Sequence, residues 1–339
     1  MADPNTHVAG IGNAIVDVLV QVDEPQLAAL GWTKGVMTLI DAAQAETIYD
    51  HLPAGIECSG GSAANTIAGL AALGARAAYI GKVRDDQLGQ VFRHDIRSAG
   101  VRFDTPAAGE GPATARCFIL VTPDAQRTML TYLGACVDLG PDDVEEAVIA
   151  DAAVTYLEGY LYDPPNAKRA FERAAQVAHQ AGRRVALSLS DPFCVDRHRD
   201  GFLELIAGHV DILFANEAEL CSLYRTESID EALRAVRGHA ELAAVTRGAL
   251  GSVVVTAEAT HVVGAETVEA VVDTTGAGDL YAAGFLFGFT HGLALPTCAR
   301  LGGIAAGEVI SHVGARPAHP LADLARARLG DDFLSACRG

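Results

Sequence analysis

The 339-residue chain is 50% hydrophobic and 20% charged, a composition typical of a globular protein that buries a sizeable core. Its formal net charge of −18 argues against nucleic acid and anionic membrane partners, because a phosphate-rich surface attracts a basic face. Seven cysteines without a CxxC pair, and an N-terminus without an apolar leader, predict a cytoplasmic protein with reduced thiols.

The N-terminal part of the chain alternates between predicted strands and helices. Apolar runs predict strands at 8–11, 14–22, 36–40 and 77–81. Helices are predicted at 63–73, with Ser62 as N-cap and Gly74 after the last turn, and at 87–98. This order is typical of βαβ units.

The middle of the chain has a different pattern. Two β-rich runs, 114–122 and 128–132, are joined by the sequence PDAQ at 123–126, which predicts a hairpin. The hairpin interrupts the alternation, so we interpret it as part of a small β lid. We expect one domain over 1–339, with a discontinuous lid at about 14–45 and 112–135.

The C-terminal part returns to the alternating pattern. Strands are predicted at 154–157, 184–189, 212–215, 243–246, 252–256 and 268–272. Helices are predicted at 165–181, 199–206, 218–224, 229–239 and 280–290. The strands are continuous Val/Ile/Leu runs, as in a parallel sheet covered on both faces, so the predicted fold class is α/β. The apolar stretch 281–295 is too short and too rich in glycine to span a bilayer.

The chemistry is predicted at Asp273-Thr-Thr-Gly-Ala-Gly-Asp279, which precedes the helix at 280–290. Gly276 and Gly278 let an anion approach the backbone, and a helix N-terminus attracts negative charge. A carboxylate at Asp279 repels a phosphate, so its presence favours a base that takes a proton from an attacking hydroxyl. The alternative is a plain strand-to-helix turn in which Asp279 only stabilises the helix.

Two longer stretches carry a family resemblance. Residues 60–89 (GGSAANTIAGLAALGARAAYIGKVRDDQLG) and 273–285 (DTTGAGDLYAAGF) resemble the two signatures of the ribokinase-like, or PfkB, carbohydrate kinase family. Residues 10–17 (GIGNAIVD) and 34–41 (KGVMTLID) are similar to its adenosine kinase branch. The resemblance implies a three-layer sandwich with a β lid, and transfer of the γ-phosphoryl group of ATP, with Mg²⁺, to the 5′-hydroxyl of a nucleoside.

The resemblance also implies roles for individual residues. Asp279 is the base, and the backbone N–H groups of Gly276, Ala277 and Gly278 form the anion hole. The acceptor site is implied at Asn13, Asp17, Gly60, Gly61 and Asn65. Without the resemblance, Asp17 is a strand-end residue and Asn65 an ordinary helix-surface amide.

Further positions are implied to bind the nucleotide and its cations. The positions for ATP and Mg²⁺ are Asn216, Glu219 (through water to Mg²⁺), Thr246, Gly248 and Gly251. Asp273 and Thr275, with backbone oxygens near 311–314, are implied to bind a monovalent cation such as K⁺. From the residues alone, 216–219 is a helix N-cap and 246–251 a β-turn that includes Arg247. Gly307-Glu308 departs from the family pattern near the adenine pocket.

Several alternatives stay open from the sequence. Arg127 in the hairpin either reaches the phosphates or is solvated, and Tyr160 either stacks on a base or lies at a rim. A nicotinamide oxidoreductase is disfavoured because Gly10-x-Gly12 has Ile15 at the third glycine position. A P-loop kinase is excluded by the absence of its motif. A free-sugar kinase and a non-catalytic nucleoside sensor remain, as do a monomer and a homodimer.

Overall fold

The computed structural model describes residues 4–29, 31–124 and 126–330. Its strands form two sheets. The strands are β1 Thr6–Ile11, β2 Ile15–Gln21, β3 Met37–Leu39, β4 Ile56–Gly60, β5 Ala77–Ile80, β6 Ala115–Val121, β7 Arg127–Tyr132, β8 Ala152–Glu158, β9 Arg184–Ser188, β10 Ile212–Asn216, β11 Leu242–Thr246, β12 Ser252–Thr256 and β13 Thr260–Val263.

Most of the helices follow strands, as predicted. They are α1 Glu24–Ala29, α2 Ala42–His51, α3 Ser62–Ala72, α4 Gln87–Ser98, α5 Glu146–Asp151, α6 Pro165–Gln180, α7 Pro192–His209, α8 Glu217–Tyr224, α9 Ile229–Val236, α10 Ala277–Thr290, α11 Leu295–Val309 and α12 Leu321–Leu329. Several begin at polar N-caps: the side chains of Asp41, Asp86 and Asp191 each accept an N–H from the first turn.

The large sheet has the strand order β13-β12-β11-β10-β9-β8-β1-β5. Its strands pair in parallel from β5 to β11, and only β12 and β13 run antiparallel to their neighbours. Successive residues point to opposite faces, so Val8 belongs to the core on the side of α3, α10 and α11, while Ala9 belongs to the core on the side of α5 to α9. The sheet is therefore the middle of three layers, which confirms the predicted α/β sandwich.

The small sheet has the order β3-β7-β6-β2-β4. Strands β6 and β7 form the predicted antiparallel hairpin, with Val121 opposite Arg127. Ala125, in the predicted turn, lies outside the described residues. Strand β4 was not predicted and lies outside the expected lid ranges; it pairs with β2 and then leads directly into α3. Strand β4 of the small sheet is thus followed directly by α3, a helix that packs on the large sheet.

One predicted strand is wrong. Residues 268–272 do not form a strand, although they are rich in valine. Val271 and Val272 are 60% and 41% exposed, and the segment is held by the Val272 N–H, which donates to the Ile310 carbonyl at 2.8 Å. This stretch therefore runs beside the end of α11 without joining a sheet. Helix α10 begins earlier than predicted, at Ala277, which places Asp279 inside its first turn.

Two other expectations can be compared with the structure. In the described part of the chain, no helix has both the length and the hydropathy needed to cross a membrane. The six cysteines in that part are free thiols, and Cys337 lies outside it.

Candidate active site

Asp279 lies where the N-termini of two helices face each other. Helix α10 carries it in its first turn, and the first turn of α3 contacts its carboxylate. The Ser62 hydroxyl donates to Oδ1 of Asp279 at 2.6 Å, and Asn65 Nδ2 donates to Oδ2 at 3.0 Å. Ser62 was predicted only as an N-cap; instead it is the first helical residue, after Gly61. The carboxylate is therefore held in one orientation by two donors from a single turn.

The environment of Asp279 favours proton uptake. Burial raises the pKa of its carboxyl, while the hydrogen bonds from Ser62 and Asn65 and the charge of Arg316 lower it; the net shift is upward. A carboxylate with a raised pKa is a stronger base toward a hydroxyl than an exposed one.

The turn before α10 leaves space for an anion. Gly276 has φ +78°, and a Cβ there would lie 2.8 Å from Ala315 Cβ, so this position requires glycine. At Gly278 a Cβ would meet no atom within 4 Å, so the backbone borders open space. The Ala277 N–H donates to the Thr274 carbonyl at 3.2 Å. The first turn of a helix leaves N–H groups without intrahelical partners, and these suit a phosphate.

Asp17 approaches the same cleft from the small sheet. It lies on β2 beside Gly60 of β4, where a Cβ would collide with the Asp17 carboxylate. Gly61 has φ +96°, and a Cβ there would collide with the Asn13 carbonyl. The two glycines therefore let β2 and the start of α3 come close together, which gathers Asp17, Gly60, Gly61 and Asn65 near Asp279.

Neighbouring charges act on the pKa of Asp17 in opposite directions. Burial raises the pKa of its carboxyl to about 7; Arg316 and Arg127 oppose this shift, and the nearby Asp279 carboxyl adds to it. These mutual effects place the two carboxyl groups and both arginines in one electrostatic environment.

Asn13 is placed behind the cleft. It is 3% exposed, and its Nδ2 donates to Oε1 of Glu158 at 2.6 Å. Glu158 ends β8, is 1% exposed, and also accepts the backbone N–H groups of Asn13 at 3.2 Å and Ala63 at 2.7 Å. Glu158 therefore ties the loop before β2 to the start of α3. Glu158 was not predicted from the sequence, although a lone acid at the end of an apolar strand is a visible signal.

Arg316 is a second site residue that was not predicted from the sequence. Its Nη1 donates to the Ala64 carbonyl at 3.1 Å, and its Nη2 donates to the Ser59 carbonyl at 2.7 Å and to the Ser59 hydroxyl at 2.9 Å. It places a positive charge beside Asp17 and Asp279. It follows α11 in an irregular segment, where no sequence pattern distinguishes it.

Asn216 and Glu219 form a reciprocal cap at the start of α8. The Asn216 N–H and Nδ2 donate to the two carboxylate oxygens of Glu219, at 2.9 and 2.6 Å, and the Glu219 N–H donates back at 2.9 Å. Burial raises the pKa of Glu219 to about 7, and Asp191 and Asp279 add to this effect. Because both oxygens are already hydrogen-bonded, this arrangement suits a contact with Mg²⁺ through water and not direct ligation.

Thr246, Gly248 and Gly251 lie in the tight connection between β11 and β12. Gly251 has φ +88°, and a Cβ there would collide with the Val263 carbonyl. Arg247 Nε donates to Glu217 at 2.8 Å, so its guanidinium is paired within the protein.

Tyr160 lies after β8 and is 38% exposed. Its pKa is raised mainly by burial, and the charges of Asp191 and Asp279 add to this effect.

A cavity of about 450 Å³ lies between residues 266–270 and helix α11. Gly307, Glu308 and Ser311 form part of its wall. Oε1 of Glu308 accepts the N–H groups of Ala318 at 2.9 Å and His319 at 2.8 Å, so this acid holds the chain after α11. The departure from the family pattern at Gly307-Glu308 therefore has a structural role beside the cavity.

Asp273 and Thr275 contact Arg127 of the small sheet. The Arg127 guanidinium forms an ion pair with the Asp273 carboxylate, and its Nη1 donates to the Thr275 hydroxyl at 2.8 Å. The N–H groups of Thr275 and Gly314 donate to Asp273, each at 3.0 Å. Two backbone donors and a positive charge already surround the carboxylate. This arrangement does not fit a monovalent cation at Asp273.

The described residues contain no group of three or more His, Cys, Asp or Glu side chains placed to hold a metal ion. Magnesium bound to nucleotide phosphates keeps several waters and needs only one or two carboxylates. The cleft fits such an ion, because Glu219 lies near enough to Asp279 for the two carboxyl groups to interact.

Comparison with known proteins agrees with this arrangement. The model of the pfkB family carbohydrate kinases matches residues 37–321. The chain is 33% identical over 289 residues to an ATP-dependent ribose-1-phosphate kinase of Halopiger xanaduensis, covering 82% of this chain and 88% of that protein.

Two solved structures are more similar still. One is an adenosine kinase from Sinorhizobium meliloti, 54% identical, with a TM-score of 0.88 over 95% of this chain and 99% of that one. The other is a probable sugar kinase from Rhizobium etli CFN 42, 49% identical, with a TM-score of 0.89 over 96% and 99%. The chain belongs to the pfkB family of carbohydrate kinases and is a nucleoside or sugar kinase.

Proposed function

We propose that this kinase transfers the γ-phosphoryl group of ATP to the primary (5′) hydroxyl of a nucleoside, with adenosine the favoured acceptor. One observation carries the proposal. The Asp279 carboxylate, held by Ser62 and Asn65, follows the glycine turn at the start of α10 and lies near enough to Asp17 to raise the pKa of that carboxyl. A fixed base next to an anion site, with a second acid across the cleft, suits transfer of a phosphoryl group to a hydroxyl.

The proposed reaction uses these groups in order. Asp17 accepts hydrogen bonds from the vicinal hydroxyls of the ribose and orients the sugar. The 5′-oxygen attacks the γ-phosphorus of ATP, its proton passes to Asp279, and the bond to the bridging oxygen of ADP breaks. The N–H groups of Gly276 and Gly278 stabilise the charge on the transferred group, and that of Ala277, which donates to the Thr274 carbonyl, would have to be shared with it.

ATP would lie along α10 and α11. Its phosphates would meet the glycine turn, and its base would enter the cavity between residues 266–270 and α11. The cavity lies close to the turn along the chain. Residues 266–270 line the cavity, the N–H of Val272 holds the next stretch against Ile310 at the end of α11, and the turn begins at residue 273. Glu219 and Asn216 would contact the water ligands of a Mg²⁺ ion, which would supply positive charge against the phosphates.

The face of the small sheet around Asp17 favours a nucleoside over a free sugar. Side chains two residues apart on a strand share a face, so Ile15 and Leu19 lie beside Asp17. They pack with Ala115, Cys117 and Ile119 of β6 in an apolar cluster. A nucleobase binds against an apolar surface of this kind, whereas the hydroxyl groups of a free sugar need polar partners. The 54% identity to an adenosine kinase points the same way.

A sugar or sugar phosphate is the second candidate acceptor. It is favoured by the 33% identity to a ribose-1-phosphate kinase and the 49% identity to a probable sugar kinase. The fold and Asp279 would serve this reaction equally well, because only the lid side of the acceptor differs.

The test is ADP release with ATP and Mg²⁺ against adenosine, guanosine, inosine, ribose, fructose and ribose 1-phosphate. We expect the highest kcat/KM with adenosine. A sugar or ribose 1-phosphate as the best substrate would contradict the nucleoside assignment and leave the base assignment intact. Adenosine binding in calorimetry without ADP release from any acceptor would favour a nucleoside sensor.

A further inference from the structure

Arg127 connects the small sheet to the segment that leads into the active-site turn. It is the first residue of β7, and its guanidinium contacts Asp273 and Thr275. Asp273 and Asp279 are the first and last residues of one seven-residue segment. A single side chain of the lid therefore contacts the main-chain segment that forms the glycine turn.

This contact is largely shielded from water. The side chains of Arg127 and Asp273 are 10% and 7% exposed. The Nη2 atom of Arg127 lies against the carboxylate without the angle of a hydrogen bond, so the contact is an ion pair, and Nη1 adds the hydrogen bond to Thr275. A buried carboxylate that loses its cationic partner is strongly destabilised. A positive charge is therefore required at this position.

A small cation would supply the same charge only if oxygen ligands surrounded it. The backbone at Gly314 instead presents its N–H to Asp273, and the Thr275 hydroxyl accepts from Arg127. With the guanidinium in place, a second positive charge would be repelled. The Asp273 carboxylate and the Thr275 hydroxyl, two of the ligands expected for a monovalent cation, are thus engaged by Arg127.

We propose that the Arg127 guanidinium takes the place of the monovalent cation at Asp273 and holds the segment 273–275 when the small sheet is closed over the cleft. Arg127 is a positioning residue in this role, since it acts on the glycine turn through Asp273 and Thr275. The kinase then needs no monovalent cation for turnover. Only the turnover readout rests on the proposed function.

The first test compares the wild type with Arg127→Ala in potassium, ammonium and choline chlorides at equal ionic strength. We expect the wild type to show the same kcat in all three salts. Arg127→Ala should lose turnover on the order of 10²-fold in choline, because the glycine turn is displaced. Potassium, ammonium or dilute guanidinium should restore part of this loss. Lys34→Met, which removes a lid charge paired with Asp124, should behave as the wild type.

A second measurement does not depend on any substrate. The thermal midpoint of the wild type should be equal in potassium and choline. That of Arg127→Ala should be higher in potassium, because a cation that binds the folded state stabilises it. The proposal would be overturned if potassium raised the turnover of the wild type severalfold or raised its thermal midpoint by several degrees. It would also be overturned if Arg127→Ala showed no response to any cation.

If Arg127→Ala fails to fold, Arg127→Lys and the wild-type comparison decide the question. If none of the acceptors gave ADP release, the proposed function would be contradicted, but the midpoint test would remain valid.

Discussion

Both carboxylate oxygens of Asp279 are engaged, and this limits how the residue can act. Ser62 and Asn65 each donate one hydrogen bond to it, while burial raises its pKa. The hydrogen bonds fix the orientation of the carboxylate, and each oxygen keeps a second lone pair for the proton of an acceptor. The side chain is therefore a base that is already positioned before the substrate arrives.

Asp279→Asn should lower kcat by about 10²–10⁴-fold, because an amide cannot take the proton. Ser62 and Asn65 can still pair with an amide, so the fold and the dissociation constant of adenosine should change little. Steady-state kinetics and calorimetry measure the two effects. Asp104→Asn, a change at an acid that is exposed and paired with Arg102, is the control and should keep wild-type turnover. Full activity of Asp279→Asn would show that another group is the base.

At the scale of elements, the site depends on how closely α3 approaches α10. Gly69 faces α10, and a Cβ there would lie 2.6 Å from Leu280 and 2.9 Å from Ala283. No side chain fits between the helices at this point. The small residue therefore sets the distance at which Ser62 and Asn65 reach Asp279.

Gly69→Val should lower the free energy of unfolding by about 1–3 kcal/mol, because overpacking pushes the two helices apart. We also expect kcat to fall, since the donors from α3 move away from Asp279. Urea unfolding and steady-state kinetics measure these effects. The matched control is Gly208→Ala in α7, where a Cβ would meet no atom within 4 Å and should stabilise the helix by about 0.5–1 kcal/mol. Unchanged stability of Gly69→Val would refute the packing argument.

At the scale of the whole molecule, the cleft concentrates buried acids. Burial raises the pKa values of Asp17, Glu158 and Glu219 to about 7. The folded state thus holds these protons more tightly than the unfolded chain, in which a glutamate titrates near its ordinary value of 4.5. Their contribution to stability is complete below that value and is lost as the pH rises toward about 7. Turnover changes in the opposite direction, because Asp279 must be ionised to act.

Glu158→Gln removes one of these titrations. Between about pH 4.5 and 7, the free energy of unfolding of this variant should decrease less steeply with pH than that of the wild type. We also expect a higher KM for the acceptor, because the single carbonyl oxygen of Gln cannot accept the three N–H groups of Asn13 and Ala63. Urea unfolding at several pH values tests the slope. Glu204→Gln, at an exposed position, is the control; equal slopes for Glu158→Gln and the wild type would contradict the prediction.

Some expectations held because neighbouring residues dictate them. The alternation of apolar runs and helices predicts a parallel sheet, since each run must be buried on both faces. The hairpin of β6 and β7 and the early acid of α10 follow from local turn and helix-start chemistry. The predicted strand at 268–272 is wrong because local sequence cannot distinguish two cases. A valine-rich run has the same pattern whether it pairs in a sheet or, as here, passes beside α11.

The sequence alone determined the fold class, the glycine turn and the position of Asp279, because these depend on local periodicity and on residues a few positions apart. Tertiary structure alone decided which side chains support that acid. Ser62 and Asp279 are 217 residues apart, Arg127 and Thr275 are 148 apart, and Arg316 and Ser59 are 257 apart. Such pairs form only when the strand order brings distant segments together, and no local pattern in the chain encodes that distance.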